Sequence, residues 1–151
     1  MRLARLALIS AAAVLVAACS SGGGATSGPS ASPASSDPAA TRIEVNLTDA
    51  LKIEPASMTV PAGVPVTFVV TNSGLIEHEF YLGDEAAQAE HEQEMAEMGG
   101  MAHDEPEGIA VMPGETKELT YTFTEAGETL AGCHVAGHYG GGMKAVVTVT
   151  E

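Results

Sequence analysis

From Arg42 onward the chain alternates apolar and polar residues in short runs. Ile43, Val45 and Leu47 alternate with Arg42, Glu44 and Asn46, the period-two pattern of a strand with one buried face. After a Pro61-Ala62-Gly63 turn, Val64, Val66, Phe68 and Val70 repeat the pattern. Asn72-Ser73-Gly74 turns again before Glu79-Phe80-Tyr81-Leu82, and Pro113-Gly114 opens a run with Leu119, Tyr121 and Phe123 inward and Glu118, Thr120, Thr122 and Thr124 outward. Glu125-Ala126-Gly127 precedes an extended Thr129 to Cys133, and Lys144 to Thr150 closes the chain. Short strands cut by Gly and Pro turns predict an all-β sandwich or barrel. One stretch departs from the pattern. Asp84 to Met98 is rich in Ala, Glu, Gln and Met, lacks β-branched residues, and ends at Gly99-Gly100, which predicts a short helix capped by Asp84 within an insertion spanning 84–107. His91, Met95 and Met98 fall on one face of that helix.

The first forty residues read differently. Residues 1–18 carry Arg2 and Arg5 before an apolar run too short to span a bilayer, the pattern of a secretory signal. The run ends Val16-Ala17-Ala18-Cys19, which resembles a bacterial lipobox and makes Cys19 the expected lipidated first residue of the mature protein. Residues 19–41 are dominated by Ser, Gly, Ala and Pro and read as a flexible tether. Residues 42–151 remain for one domain with one core. The expected place is an exported one: lipid-anchored at the cell membrane, facing the periplasm or the outside, with the anchor as the sole membrane contact.

Charge narrows the partners. The whole chain carries a formal charge of −14, and beyond the signal only Arg42, Lys52, Lys117 and Lys144 stand against all twenty acids. A nucleic-acid partner needs a basic surface, so none is expected. With Cys19 used for lipid, Cys133 is a lone thiol in an oxidising compartment. Metal ligation would occupy and protect it.

The surrounding segment supplies that chemistry. Cys133, His138 and Met143 follow one another at Cys-x4-His-x4-Met spacing, within a run that includes Gly137 and Gly140-Gly141-Gly142. Thiolate and thioether are soft donors that select copper, and two His with one Cys and a weak axial Met describe a blue-copper site. The second imidazole must come from far away, and His78, in Ile76-Glu77-His78-Glu79-Phe80, is the candidate. Gly residues let the loop bend back through positive φ.

With these residues in view, the domain resembles a cupredoxin of the plastocyanin/azurin type, its loop spacing similar to that of rusticyanin. The resemblance covers about 42–151 apart from the insertion. It implies a Greek-key β-sandwich holding one type 1 copper, with His78, Cys133, His138 and Met143 as ligands. It also implies single-electron exchange with exported redox partners, no transformation of a substrate, and action as a monomer. Glu79 departs from the family pattern, which often has Asn or Ser after the first His to brace the Cys loop.

Other chemistries fit less well. Cys133-His134-x3-His138 is similar to one motif of multicopper oxidases, but Gly132 stands where those have His, and no His-x-His pair occurs. Zinc takes Met poorly. A Cys–His hydrolase would need an orienting third group and a cleft. His134 is expected at the surface, its side chain directed away from the metal. The competing function is copper buffering, delivery or resistance with copper-handling partners. There the insertion would serve as a capture arm, with His91, Met95, Met98, Met101 and His103 forming a second, Cu(I) site through soft thioethers.

Overall fold

The computed structural model describes residues 41–151; the expected signal, the expected lipidation site Cys19 and most of the expected tether lie outside them. In chain order the elements are β1 (Thr41–Thr48), β2 (Lys52–Glu54), β3 (Ser57–Pro61), β4 (Pro65–Asn72), β5 (His78–Gly83), α1 (Glu85–Glu97), β6 (Gly108–Val111), β7 (Thr116–Thr122), β8 (Gly127–Gly132) and β9 (Lys144–Thr150). Two sheets form, ordered β2-β1-β4-β7 and β3-β9-β8-β5-β6. The pairs β1–β4 and β3–β9 are parallel and the remaining pairs antiparallel. β1–β2, β5–β6 and β8–β9 are neighbours in both sequence and sheet, and the other five connections cross between the sheets, as the sandwich expectation requires.

The alternation sets the core. Val45 and Leu47 of β1, and Val66, Phe68 and Val70 of β4, are buried, as are Leu119 and Phe123 near β7. They meet Phe80, Leu82, Val147 and Val149 of the other sheet. Phe68 and Phe80 join the layers with centroids 5.3 Å apart, and Phe123 packs edge-on against Phe68 at 6.3 Å. Three strands were absent from the sequence pattern. β2 and β3 are too short to show a period, and β6 begins directly after the stretch read as insertion.

Helix α1 forms as its composition predicts. Asp84 accepts from Ala87 N at 2.8 Å, a cap contributing about 1 kcal/mol. The buried positions are Gln88, His91 and Met95, so the docking face is mostly polar. Gln88 Nε2 donates to the carbonyls of Tyr81, Gly83 and Leu130 at 3.2–3.3 Å. The helix is therefore keyed to β5 and β8 by hydrogen bonds more than by an apolar stripe. Gly132 makes this approach possible: a Cβ there would lie 2.3 Å from Gln88 Oε1 and 2.8 Å from Tyr139 Cε2.

Candidate metal centre

Three elements converge at one end of the sandwich. β5 begins at His78, β8 ends just before Cys133, and the loop between β8 and β9 carries His138 and Met143. Gly137 and Gly142 sit at φ +85° and +95°, the left-handed geometry that turns the loop back on itself. The loop closes through Met143 N to His138 O at 3.0 Å and Cys133 N to Met143 O at 3.2 Å.

The result is a compact donor set. Cys133 Sγ lies 3.4 Å from His138 Nδ1 and 3.9 Å from His78 Nδ1. One ligand atom from each of the three residues lies within 4.8 Å of the others. His78, Cys133 and Met143 are fully buried, while His138 is half-buried and reaches toward the surface. A soft sulfur with two Nδ1 imidazole atoms fits copper, and Met143 supplies a fourth soft donor from the same loop.

The surroundings hold these groups in place. His78 Nε2 pairs with Asp49 Oδ1 at 3.2 Å, which leaves Nδ1 directed at the site. Asp49 Oδ2 accepts from Leu75 N at 2.8 Å, and that contact is the main reason the Asp49 carboxyl is held below its ordinary range. Asn72, fully buried, spends both amide hydrogens on Ile76 and Val111 carbonyls at 2.8 Å, while its oxygen accepts from Gly74 N. It thereby fixes the turn that delivers His78. A carboxylate behind a ligand imidazole is the usual orienting device at metal sites.

Glu79 braces the Cys loop. Its backbone N donates to Cys133 Sγ at 3.3 Å. Its fully buried carboxylate accepts from His134 N at 3.1 Å through Oε2 and from His91 Nε2 at 2.9 Å through Oε1. The residue that departs from the family pattern thus ties β5, the Cys loop and α1 together.

Burial pushes the Cys133 thiol up to about 11, with N–H groups of Glu79 and Val135 offsetting part of the rise. Burial, and then His78, lower the pKa of His138, against a small opposing pull from Asp49. The metal-free site at neutral pH is therefore a thiol beside a neutral His138.

His134 differs from expectation. It does turn away from the metal side, but it is 2% exposed rather than at the surface. Helix α1 covers it: Nδ1 meets Glu92 Oε2 at 2.5 Å, Nε2 meets Gln88 Oε1 at 2.7 Å, and the ring stacks on Tyr139 at 4.4 Å. No period in the sequence shows that a helix would lie across this strand end. The insertion residues have separate surroundings. His91 and Met95 are buried, whereas Met98 and Met101 are 44% and 68% exposed. His103, half-exposed, contacts Glu105.

Comparison with known proteins accords with this geometry. The model of the copper-binding proteins of the plastocyanin/azurin family matches residues 39–150. The chain belongs to that family. Copper is its cofactor. Among curated proteins, a copper-resistant cuproprotein CopI of Pseudomonas aeruginosa is 38% identical over 146 residues, covering 78% of this chain and 80% of its own length. A CopI of Rubrivivax gelatinosus is 39% identical over 107 residues, 71% of this chain, and the match spans 65% of that relative's length. Among solved structures, reduced auracyanin of Roseiflexus castenholzii gives a TM-score of 0.66 at 25% identity, covering 74% of this chain and 98% of its own. An azurin of Methylomonas sp. strain J gives 0.62 at 17% identity and shares the fold, covering 75% of this chain and all of its own. Among the described residues, no helix is long and apolar enough to cross a membrane.

Proposed function

We propose that this cupredoxin serves copper resistance outside the cytoplasm, binding one copper through His78, Cys133, His138 and Met143. The relationship to CopI across 78% of the chain carries the resistance reading. The buried Cys133, close to both imidazoles, carries the ligand assignment. In this reading Cys19 anchors the chain by lipid, residues 19–41 are its tether, and residues 42–151 are the copper domain that works with copper-handling or redox proteins. No substrate is transformed. Copper supplies a one-electron couple and a soft acceptor for sulfur. The chain supplies a preformed pocket: Asp49 orients His78, Glu79 braces Cys133, and the Gly-rich loop returns His138 and Met143.

A growth test decides the role. Production of the chain in a copper-sensitive host should restore growth on copper, and Cys133→Ser should remove that protection. Equal protection by the Ser variant, or none by the wild type, would defeat the resistance reading.

One observation favours single-electron exchange as a second reading. Leu75, Ile76 and Met112 are 86%, 47% and 54% exposed, on turns flanking His78 and its β6 partner Val111. Apolar residues at the end where His138 reaches the surface suit transient docking of a redox partner.

Two further outcomes test the ligands. Met143→Leu should keep the thiolate colour and raise the midpoint potential, because it removes only a weak donor that favours Cu(II). Complete loss of copper would show Met143 to be more than an axial ligand. Copper uptake should also release one proton from Cys133, so affinity should fall about tenfold for each unit of pH lowered. Calorimetry in buffers of different ionisation enthalpy measures this release. Pairing of Cys133 as a thiolate before copper arrives would give none.

A further inference from the structure

Two buried imidazole nitrogens without hydrogen-bond partners gather where α1 meets the loop after it, His91 Nδ1 and His103 Nδ1, beside the carboxylate of Glu105. His91 is the informative one. It is 1% exposed, and its ring stacks on Tyr81 at 3.9 Å with an interplanar angle of 2°. Its Nε2 is committed to Glu79 Oε1 at 2.9 Å. A carboxylate only accepts, so Nε2 carries a ring proton and Nδ1 is the nitrogen left to face the rest of the cluster.

That Nδ1 lies 3.6 Å from Glu105 Oε1 and 3.8 Å from Glu94 Oε2. Both separations are too long for hydrogen bonds. An unprotonated Nδ1 therefore leaves its lone pair uncompensated near two carboxylates. A bound cation would compensate that lone pair and both carboxylates. Bonds of about 2.0–2.2 Å hold neighbouring donors roughly 2.8–3.6 Å apart, from tetragonal to tetrahedral geometry. These atoms already sit near that spacing, all within 4.8 Å of one another. His103 Nε2 contacts the same Glu105 oxygen, so another imidazole is at hand. A groove lined by Glu94, Glu97, Met98 and His103 borders the cluster at Glu94 and His103.

We propose that His91, Glu94 and Glu105, joined by His103, form a second metal site for a divalent transition ion. Imidazole with carboxylate is a harder donor set than thioether, and among divalent first-row ions Cu(II) binds such sites most tightly. Glu79 behind His91 completes the carboxylate–histidine–metal arrangement that fixes a ligand tautomer. Because Glu79 N also donates to Cys133 Sγ, the two sites share one buried residue. Met98 and Met101, largely exposed, are not required. The inference does not rest on the resistance role or on occupancy of the Cys133 site.

The test uses the full chain loaded with excess Cu(II), desalted, and counted by atomic absorption and EPR. The wild type should retain two coppers. One carries the thiolate colour, and the other gives an ordinary EPR signal without that colour. Glu94→Gln with Glu105→Gln should drop the count from two to one, leave the coloured copper unchanged, and leave metal-free thermal stability equal or higher. Met98→Leu with Met101→Leu should keep both coppers. Retention of only the coloured copper by the wild type, or of two coppers by the Gln variant, would overturn the proposal. Loss of the colourless copper in the Leu variant would also overturn it, by moving the ion to the thioethers.

Discussion

Cys133→Ser should yield a folded protein that takes up no intensely coloured copper. The colour arises from a Cu–thiolate bond, and a hydroxyl is too hard and too basic to replace it. The fold should survive because the change is small and local. Cys133 is fully buried beside Glu79 N, and Ser Oγ accepts that same N–H. Visible absorption and EPR of the copper-loaded variant read the site, while urea unfolding reads the fold. Stability should fall by no more than about 1–2 kcal/mol, the range of a conservative core change. A Ser variant as blue as the wild type would remove Cys133 from the ligand set.

Glu79→Ala should be the most destabilising single change near the site. It strips the acceptor from His134 N and from His91 Nε2, both buried. Each orphaned donor costs roughly 1–3 kcal/mol, so the loss should reach about 2–6 kcal/mol. That is a large share of the 5–15 kcal/mol that typically holds a domain together. Chemical denaturation measures it, and a loss within 0.5 kcal/mol would show that the buried carboxylate is not the brace described above. Glu79→Gln separates hydrogen bonding from volume. Its oxygen can keep the His134 N–H, but its NH2 group then faces His91 Nε2 and drives the ring proton to Nδ1. Stability should largely recover, while nitrogen NMR of His91 should report the other tautomer.

The strands on either side of the metal loop were legible because a half-buried sheet imposes a period of two. Val66, Phe68 and Val70 could only face one way. The candidate ligand loop was legible for a different reason: Cys133, His138 and Met143 are close in sequence, and their donor chemistry is specific. His78 was read as the distant imidazole because it opens a strand after the Asn72-Ser73-Gly74 turn, and the structure brings its Nδ1 to 3.9 Å from Cys133 Sγ. Asp49 and Asn72 were missed as supports. Each acts across a turn on a neighbouring strand, which leaves no spacing to read.

The helical insertion marks the boundary between the two kinds of information. Its composition and its Asp84 cap determine that a helix forms, because these are local energies of backbone and side chain. They do not determine what the helix covers. Docking onto β5 and β8 depends on Gln88 meeting carbonyls of Tyr81, Gly83 and Leu130 and on the bare Gly132 leaving room, and the β8 contacts join segments some 40 residues apart. That docking buried His134, which as a lone histidine read as surface. It also turned His91 from one member of a Met/His face into a ring held by Glu79, with Nδ1 near Glu94 and Glu105. Ligand type, strand period and loop spacing are properties of the sequence by itself. Burial of a polar side chain, its tautomer and its partners were decided only by the tertiary structure, because each depends on which distant atoms exclude water and accept the proton.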